Sequence, residues 1–298
     1  MPFADKAVRV RVPATSANLG PGYDTFGLAL AHYDEVTAQV TAEGLGIEVD
    51  GPDEVALDES HLVVRSMRAC FDRLGEQPAG LRLSCVNRIP HGRGLGSSAA
   101  AIVSGIELAR ALTAGGRDRL DVAGALELAT ELEGHPDNVA ACLLGGFTIA
   151  WLADGAGRAV RLQPVGVSPV LFIPQDRSAT HEARAALPIQ VPHADAAFNA
   201  SRAALMVAAL TGRPELLLTA TEDRLHQDYR AAGMPDSAGL VGRLRSHGIA
   251  GVISGAGSSV LGLARSPEQI EHARALVPVG WAVETLVPAD GVQTDVLD

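Results

Sequence analysis

The chain has 298 residues, with 24 basic against 35 acidic side chains for a net charge of −11, and aromatics make up only 4%. That length fits one large domain or two modest ones. The acidic balance argues against non-specific binding to nucleic acid or to an anionic membrane surface. Cys70, Cys85 and Cys142 are odd in number and lack metal-ligand spacing, so they read as reduced, buried thiols of a cytoplasmic protein. The N-terminus has no signal-peptide core, and no run of about 18 apolar residues offers a membrane span.

Val8, Val10 and Val12 alternate with Arg9 and Arg11, the period of a half-exposed strand that Pro13 is expected to end. Residues 13–24 then read as a long loop rich in turn formers. Leu28–His32 and Val36–Thr41 read as two strands separated by Tyr33-Asp34-Glu35. Residues 51–60 form a loop, and a helix opens at Ser60-His61-Leu62-Val63 and runs to about Leu74. Leu81–Val86 is a strand, and a helix from Ser98 to about Thr113 follows it, broken by Gly115-Gly116. Asp121 caps the next helix, which runs through Glu133 with Val122, Leu126, Ala129 and Leu132 as its buried stripe. Glu127 and Glu131 share another face of that helix, and from the residues alone they are a solvated acidic face. Glu133-Gly134-His135-Pro136-Asp137-Asn138 precedes an apolar helix that Asp137 or Asn138 can cap, and Gly145-Gly146 closes it ahead of a strand, Phe147–Trp151.

Residues 153–166 read as a hairpin turn or a domain seam. Val170–Ile173 is a buried strand, and a short helix opens around Ser178 to Arg184 with Ser178 or Thr180 as its cap. A longer alanine-rich helix covers about His193–Leu210. The run from Asp223 to Arg230 is polar enough to be a solvated helix. Ala250–Ser254 and Val260–Leu263 flank a glycine turn as a hairpin. A helix over 267–276 and a strand over 281–287 close the chain.

The most informative stretch is Pro90-His91-Gly92-Arg93-Gly94-Leu95-Gly96-Ser97-Ser98-Ala99-Ala100, lying between a strand and a helix. Glycines allow positive φ and close approach to the backbone. Ser97 or Ser98 can cap the helix, whose N-terminal amides and dipole make an anion site. The run is neither a Walker A loop nor a dinucleotide fingerprint. Its wording, Pro-x-x-x-Gly-Leu-Gly-Ser-Ser-Ala, resembles the phosphate loop of the GHMP small-molecule kinases. Residues 13–24, Pro-Ala-Thr-Ser-Ala-Asn-Leu-Gly-Pro-Gly-Tyr-Asp, resemble the N-terminal signature of the homoserine kinases in that superfamily. Eleven of twelve signature positions agree, with Tyr23 standing for the usual Phe. Ser16 stands where mevalonate-type relatives tend to carry Lys. The turn Gly255-Ala256-Gly257-Ser258-Ser259 resembles the third GHMP motif.

The resemblance implies an α+β protein of two lobes, the first (1–165) like ribosomal protein S5 domain 2 and the second (166–298) ferredoxin-like, with the active site between them. It implies phosphorylation of L-homoserine by ATP with Mg²⁺, on the way to threonine. ATP falls to the eleven residues Pro90 to Ala100, with the start of the 60–74 helix near the base. Mg²⁺ falls to Ser98 and Glu127. The substrate's carboxylate falls to Arg184 and Arg230 with Thr180, and its ammonium to Asp24 with Asp137 and His135 nearby. Gly257 also lies against the substrate. Asn18 and Asn138 aim the alcohol, and no residue is assigned as general base. Such kinases are commonly homodimers, though no stretch here marks an interface. Two other readings stand beside this one: a GHMP kinase for another small alcohol, mevalonate- or shikimate-like, and a non-catalytic nucleotide or metabolite sensor on the same fold.

Overall fold

A computed structural model describes residues 2–176 and 180–297, and the side chains of all these except 180–182. In chain order the first lobe contains β1 (Val8–Asn18), β2 (Gly22–Thr41), β3 (Gly44–Asp50), α1 (Leu62–Leu74), β4 (Gly80–Val86), α2 (Ser97–Leu112), α3 (Gly116–Arg119), α4 (Val122–Glu133), α5 (Asp137–Leu144), β5 (Phe147–Ala153) and β6 (Ala156–Leu162). The second contains β7 (Ser168–Ile173), α6 (Thr180–Ala185), α7 (His193–Thr211), α8 (Leu217–Ala220), α9 (Gln227–Arg230), α10 (Pro235–Ser246), β8 (Ala250–Ile253), β9 (Val260–Ala264), α11 (Pro267–Ala275) and β10 (Ala282–Thr285). The last strand, β11 (Gln293–Val296), returns to the first lobe and pairs with β1.

The larger sheet runs β11-β1-β2-β4-β3, with β5 paired to β2 and β6 to β5, and the smaller runs β10-β7-β9-β8. The fold is therefore α+β in two lobes, but a cut between residues 165 and 166 leaves β11 on the wrong side. The stretch 153–166 is a β5–β6 hairpin turning at Asp154-Gly155, and the chain changes sheet only after Leu162. The core of the first lobe lies between its sheet and α1, α2, α4 and α5, with Met67, Phe71, Leu81, Leu83, Ile102 and Phe147 fully buried. Phe26 and Phe147 meet edge to face, with ring centroids 5.1 Å apart. Among the described residues no helix is long and apolar enough to cross a membrane.

Several expected boundaries move. Pro13 does not end β1: the register with β2 slips between Pro13 and Ala14, so the proline sits at a bulge where no ladder donor is needed. Most of the expected loop 13–24 is strand, turning only at Leu19-Gly20-Pro21, and Leu28–His32 and Val36–Thr41 are parts of one β2. In α4 the buried residues are Ala125, Leu126, Leu128, Ala129 and Thr130, while Val122 and Leu132 lie on the exposed side. The Asp121 cap does form, accepting from the Gly124 amide.

Candidate active site

The glycine-rich loop lies between the lobes. Gly92, Gly94 and Gly96 all have positive φ, at 66°, 72° and 69°. A Cβ on Gly94 would come within 2.1 Å of the Ser254 carbonyl oxygen, and one on Gly96 within 2.0 Å of Thr15 Oγ1. These glycines thus admit neighbouring protein as well as a ligand. The loop is clamped from both lobes: Thr15 N donates to Leu95 O, Ser259 N donates to Arg93 O, and the Ser254 hydroxyl donates to Gly94 O at 2.7 Å. The Arg93 guanidinium is committed to the carbonyls of Pro174 and Gln175 and does not face the cleft. Pro90, Ala99 and Ala100 also stand back from the cleft, whereas Gly92, Gly94, Leu95, Gly96, Ser97 and Ser98 line it.

Neither serine caps α2. Gly96 holds the cap position and no side chain accepts from the first turn, so those amides stay available to an anion. Ser98 instead donates to Glu133 Oε1 at 2.6 Å. This corrects the expected pairing of Ser98 with Glu127. Arg158 holds Glu127 at 2.6 Å, Arg73 holds Glu131 at 2.8 Å, and neither acid lines the cleft. Glu133, at the end of α4, does line it, and burial pushes its carboxyl pKa up despite the Ser98 hydroxyl.

On the far side of the loop the expected amino-acid residues meet: Asn18, Asp24, His135, Asp137, Asn138, Arg184 and Arg230 all line one cleft. The turn from β1 into β2 supplies the first two through strained backbone, Asn18 ending β1 and Asp24 near the start of β2, with φ of 68° at Asn18, 48° at Leu19 and 52° at Asp24. Asn18 holds that turn, accepting from Asp24 N at 3.0 Å and donating to Gly255 O at 2.8 Å. Asn138 lines the cleft too, its Oδ1 accepting from the Thr15 hydroxyl at 2.8 Å and its Nδ2 donating to Asp137 Oδ1 at 3.4 Å. Asp137 Oδ1 accepts from His135 Nδ1 at 2.5 Å and from Asn138 N at 2.8 Å. Burial opposes the charge on His135, but Asp137 and Glu133 outweigh it and raise its pKa. One ligand atom from each of Asp24, His135 and Asp137 falls within 4.8 Å of the others, an acidic nest for a cation.

The cations differ in their surroundings. Arg184 forms a two-point pair with Asp24 at 2.8 and 3.1 Å and donates to the Tyr23 hydroxyl at 3.0 Å. Arg230 is 3% exposed and has no ion pair among the described residues. Its donors go to Ala183 O, Gly255 O and His226 Nδ1. His226 Nε2 in turn donates to Gly20 O, so the ring is neutral with its proton on Nε2, and burial lowers its pKa accordingly. The polar run from Asp223 is therefore not a solvated helix: Asp223 accepts the amides of Leu225, His226 and Gln227, and together they build a buried mount for Arg230. The side chain of Thr180, like Ser178, lies outside the described residues. Gly257 backs onto Gly94, and it is Gly255 and Ala256 that reach the cleft.

A second cavity of about 320 Å³ adjoins the loop through Ser97 and Ser98 and is walled by Val55, Ala56, Leu62, Val63 and Ala101. The start of α1, the segment expected near the base, reaches it. The buried His61 Nδ1 and Ser104 Oγ belong to residues that line it and have no hydrogen-bond partner among the described residues. The sequence reading missed Ser104, Glu133, His226 and Ser254. Only Glu133 carried a signal, its place two residues before His135 in the polar run Glu133 to Asn138.

The chain matches the family described as "GHMP kinases N terminal domain" over residues 61–146 and "GHMP kinases C terminal" over 205–277. It is 58% identical to the homoserine kinase of Streptomyces coelicolor, over 95% of this chain and 93% of that protein. It is 54% identical to that of Clavibacter michiganensis, over 91% of this chain and 87% of that one. The crystal structure of homoserine kinase from Cytophaga hutchinsonii superposes with a TM-score of 0.83 at 26% identity, covering 97% and 98% of the two chains. The mevalonate diphosphate decarboxylase of Enterococcus faecalis, at 13% identity and a TM-score of 0.69 over 98% and 99%, shares the fold alone. With relatives more than half identical along nearly its whole length, the chain belongs to the GHMP kinase family, among the homoserine kinases.

Proposed function

We propose that this cleft passes the γ-phosphate of ATP to the hydroxyl of L-homoserine, giving ADP and O-phospho-L-homoserine, a step towards threonine. The observation that carries it is the juxtaposition of an uncapped helix N-terminus with a nest of two arginines and two aspartates. The first is built for phosphates, and the second for a small zwitterion. The base enters the apolar cavity, where His61 and Ser104 hold unpartnered polar atoms. The polyphosphate lies along Gly94 to Ser98, with the α2 amides and dipole facing it.

The chemistry of the donor set fits Mg²⁺: a serine hydroxyl and a poorly solvated carboxylate stand 2.6 Å apart at the edge of the phosphate loop. Ser98 and Glu133 would hold it, and its contribution is to neutralise charge on the β- and γ-phosphates. At the other end Arg184 and Arg230 take the amino acid's carboxylate, and Asp24 with Asp137 takes its ammonium. Asn138 orients the alcohol toward the γ-phosphorus, and Asn18 braces Asp24. No side chain is assigned as base. Asp137 Oδ1 is already tied to His135 and Asn138, and the loose transition state of phosphoryl transfer lets the proton leave late, to the phosphate.

The test is ADP release with Mg·ATP against L-homoserine, D-homoserine, mevalonate, shikimate and no acceptor. Turnover confined to L-homoserine is expected. Preference for another alcohol would overturn the reading of the pocket while leaving the phosphate site intact.

A further inference from the structure

Arg184 and Asp24 are both cleft residues, yet in this structure they satisfy each other. The pair is two-pointed, at 2.8 and 3.1 Å, and about a third of each side chain is exposed to the cleft. Arg230, beside them, is a buried guanidinium that meets only neutral acceptors. Asp137 and His135 stand beside Asp24, within 4.8 Å between ligand atoms. An incoming carboxylate therefore finds Arg230 ready, but reaches Arg184 only by displacing Asp24. An incoming ammonium reaches Asp24 only by displacing Arg184.

We propose that the Arg184–Asp24 ion pair is the selectivity device of this site, opened at net gain only by a ligand that replaces both partners at once, an α-amino acid zwitterion. The proposal rests on the amino-acid reading given above and adds the mechanism of choice. A hydroxy acid would take Arg184 and strand Asp24 beside Asp137. An amino alcohol would take Asp24 and strand Arg184 beside Arg230. Each leaves a partly buried charge facing its own sign, the costly outcome when one partner of a pair is removed. A zwitterion pays to open the pair once and closes two pairs in return.

The experiment compares kcat/KM for L-homoserine, 4-hydroxybutyrate and 3-aminopropan-1-ol in the wild type, Asp24→Asn and Arg184→Gln. The wild type is expected to lose roughly 10³-fold or more on either truncated alcohol. Asp24→Asn should lower turnover of homoserine yet raise that of 4-hydroxybutyrate by about tenfold over wild type, since no pair remains to be opened. Arg184→Gln should do the same for 3-aminopropan-1-ol. Variants that leave the truncated alcohols unchanged or worse would overturn the exchange, because the two residues would then be independent contacts.

A second measurement needs neither variant folding nor turnover. Acetate and methylammonium, at matched ionic strength, should together raise the wild-type melting temperature by more than the sum of their separate shifts. Additive shifts would overturn the proposal. If homoserine is not turned over at all, the functional reading fails on that result alone, and the melting experiment still decides the exchange.

Discussion

Glu127 and Glu133 sit on the same helix, and their partners separate their roles. Arg158 from β6 neutralises Glu127 on the outer side of α4, whereas among the described residues Glu133 has the Ser98 hydroxyl as its hydrogen-bond partner and borders the glycine-rich loop. Glu133→Gln should therefore raise the Mg²⁺ concentration needed for half-maximal rate by about tenfold or more, since it removes one of the few protein oxygens such an ion takes. Glu127→Gln should leave the Mg²⁺ titration in place and cost at most about 1 kcal/mol of stability, as expected for a part-exposed pair. Titrating Mg²⁺ in both variants checks this, and a shift confined to Glu127→Gln would return the metal to the sequence assignment. A serine beside the glycine-rich loop and acids on α4 were legible in the sequence. Which acid was free was not, because Arg158 and Arg73 come from other elements.

At the scale of elements, β2 and β10 are joined by His32, although they belong to different sheets. Its Nδ1 lies 3.0 Å from Glu284 and its Nε2 2.8 Å from Arg88 O, two acceptors that together require an imidazolium. The Glu284 hydrogen bond raises the His32 pKa, and His32 lowers that of Glu284. A raised histidine pKa contributes stability that is complete below its unfolded value of about 6.5 and is lost as pH rises through the folded one. The lowered Glu284 pKa contributes above its unfolded value of about 4.3 and is lost as pH falls through the folded one. The pair is thus complete in mildly acid solution. The gap in melting temperature between wild type and His32→Gln should be widest near pH ~5.5 and narrow by about pH 8.5, with at most about 1 kcal/mol involved because Glu284 is part-exposed. Equal gaps at both pH values would show that the ring acts by packing alone. The strands themselves were readable from alternation, and β3 could have been read too, from Leu45, Ile47 and Val49. The bulge at Pro13 could not, because register is decided by the partner strand.

Across the whole molecule, the two lobes are bound by more than the cleft. The chain starts and ends in the same sheet: β11 covers the edge of β1, Leu297 N donates to Ala7 O, and Asp295 pairs with Arg9 at 2.9 Å. Truncation after Val292 should uncover that edge and cost about 1–3 kcal/mol, seen as a lower melting temperature with concentration-dependent aggregation. An unchanged melt would mean that β11 is an ornament on the sheet. The expected division at residue 165 overlooked this strand because a short polar segment, Gln293–Val296, carries no hydrophobic alternation and is a strand only because the edge of β1 offers it a partner.

The sequence by itself determined the order of most elements, the glycine-rich loop, and the polar run that opens α5, because each is written in local spacing: glycines where φ turns positive, alternation in strands, a polar run before an apolar helix. The tertiary structure alone decided which of those residues face one another. It gave Ser98 to Glu133, buried His226 as the mount of Arg230, and closed Arg184 onto Asp24, contacts between residues up to 160 positions apart. Such contacts depend on how the sheets stack and on where burial leaves a charge without water, and neither is a property of any single stretch of chain.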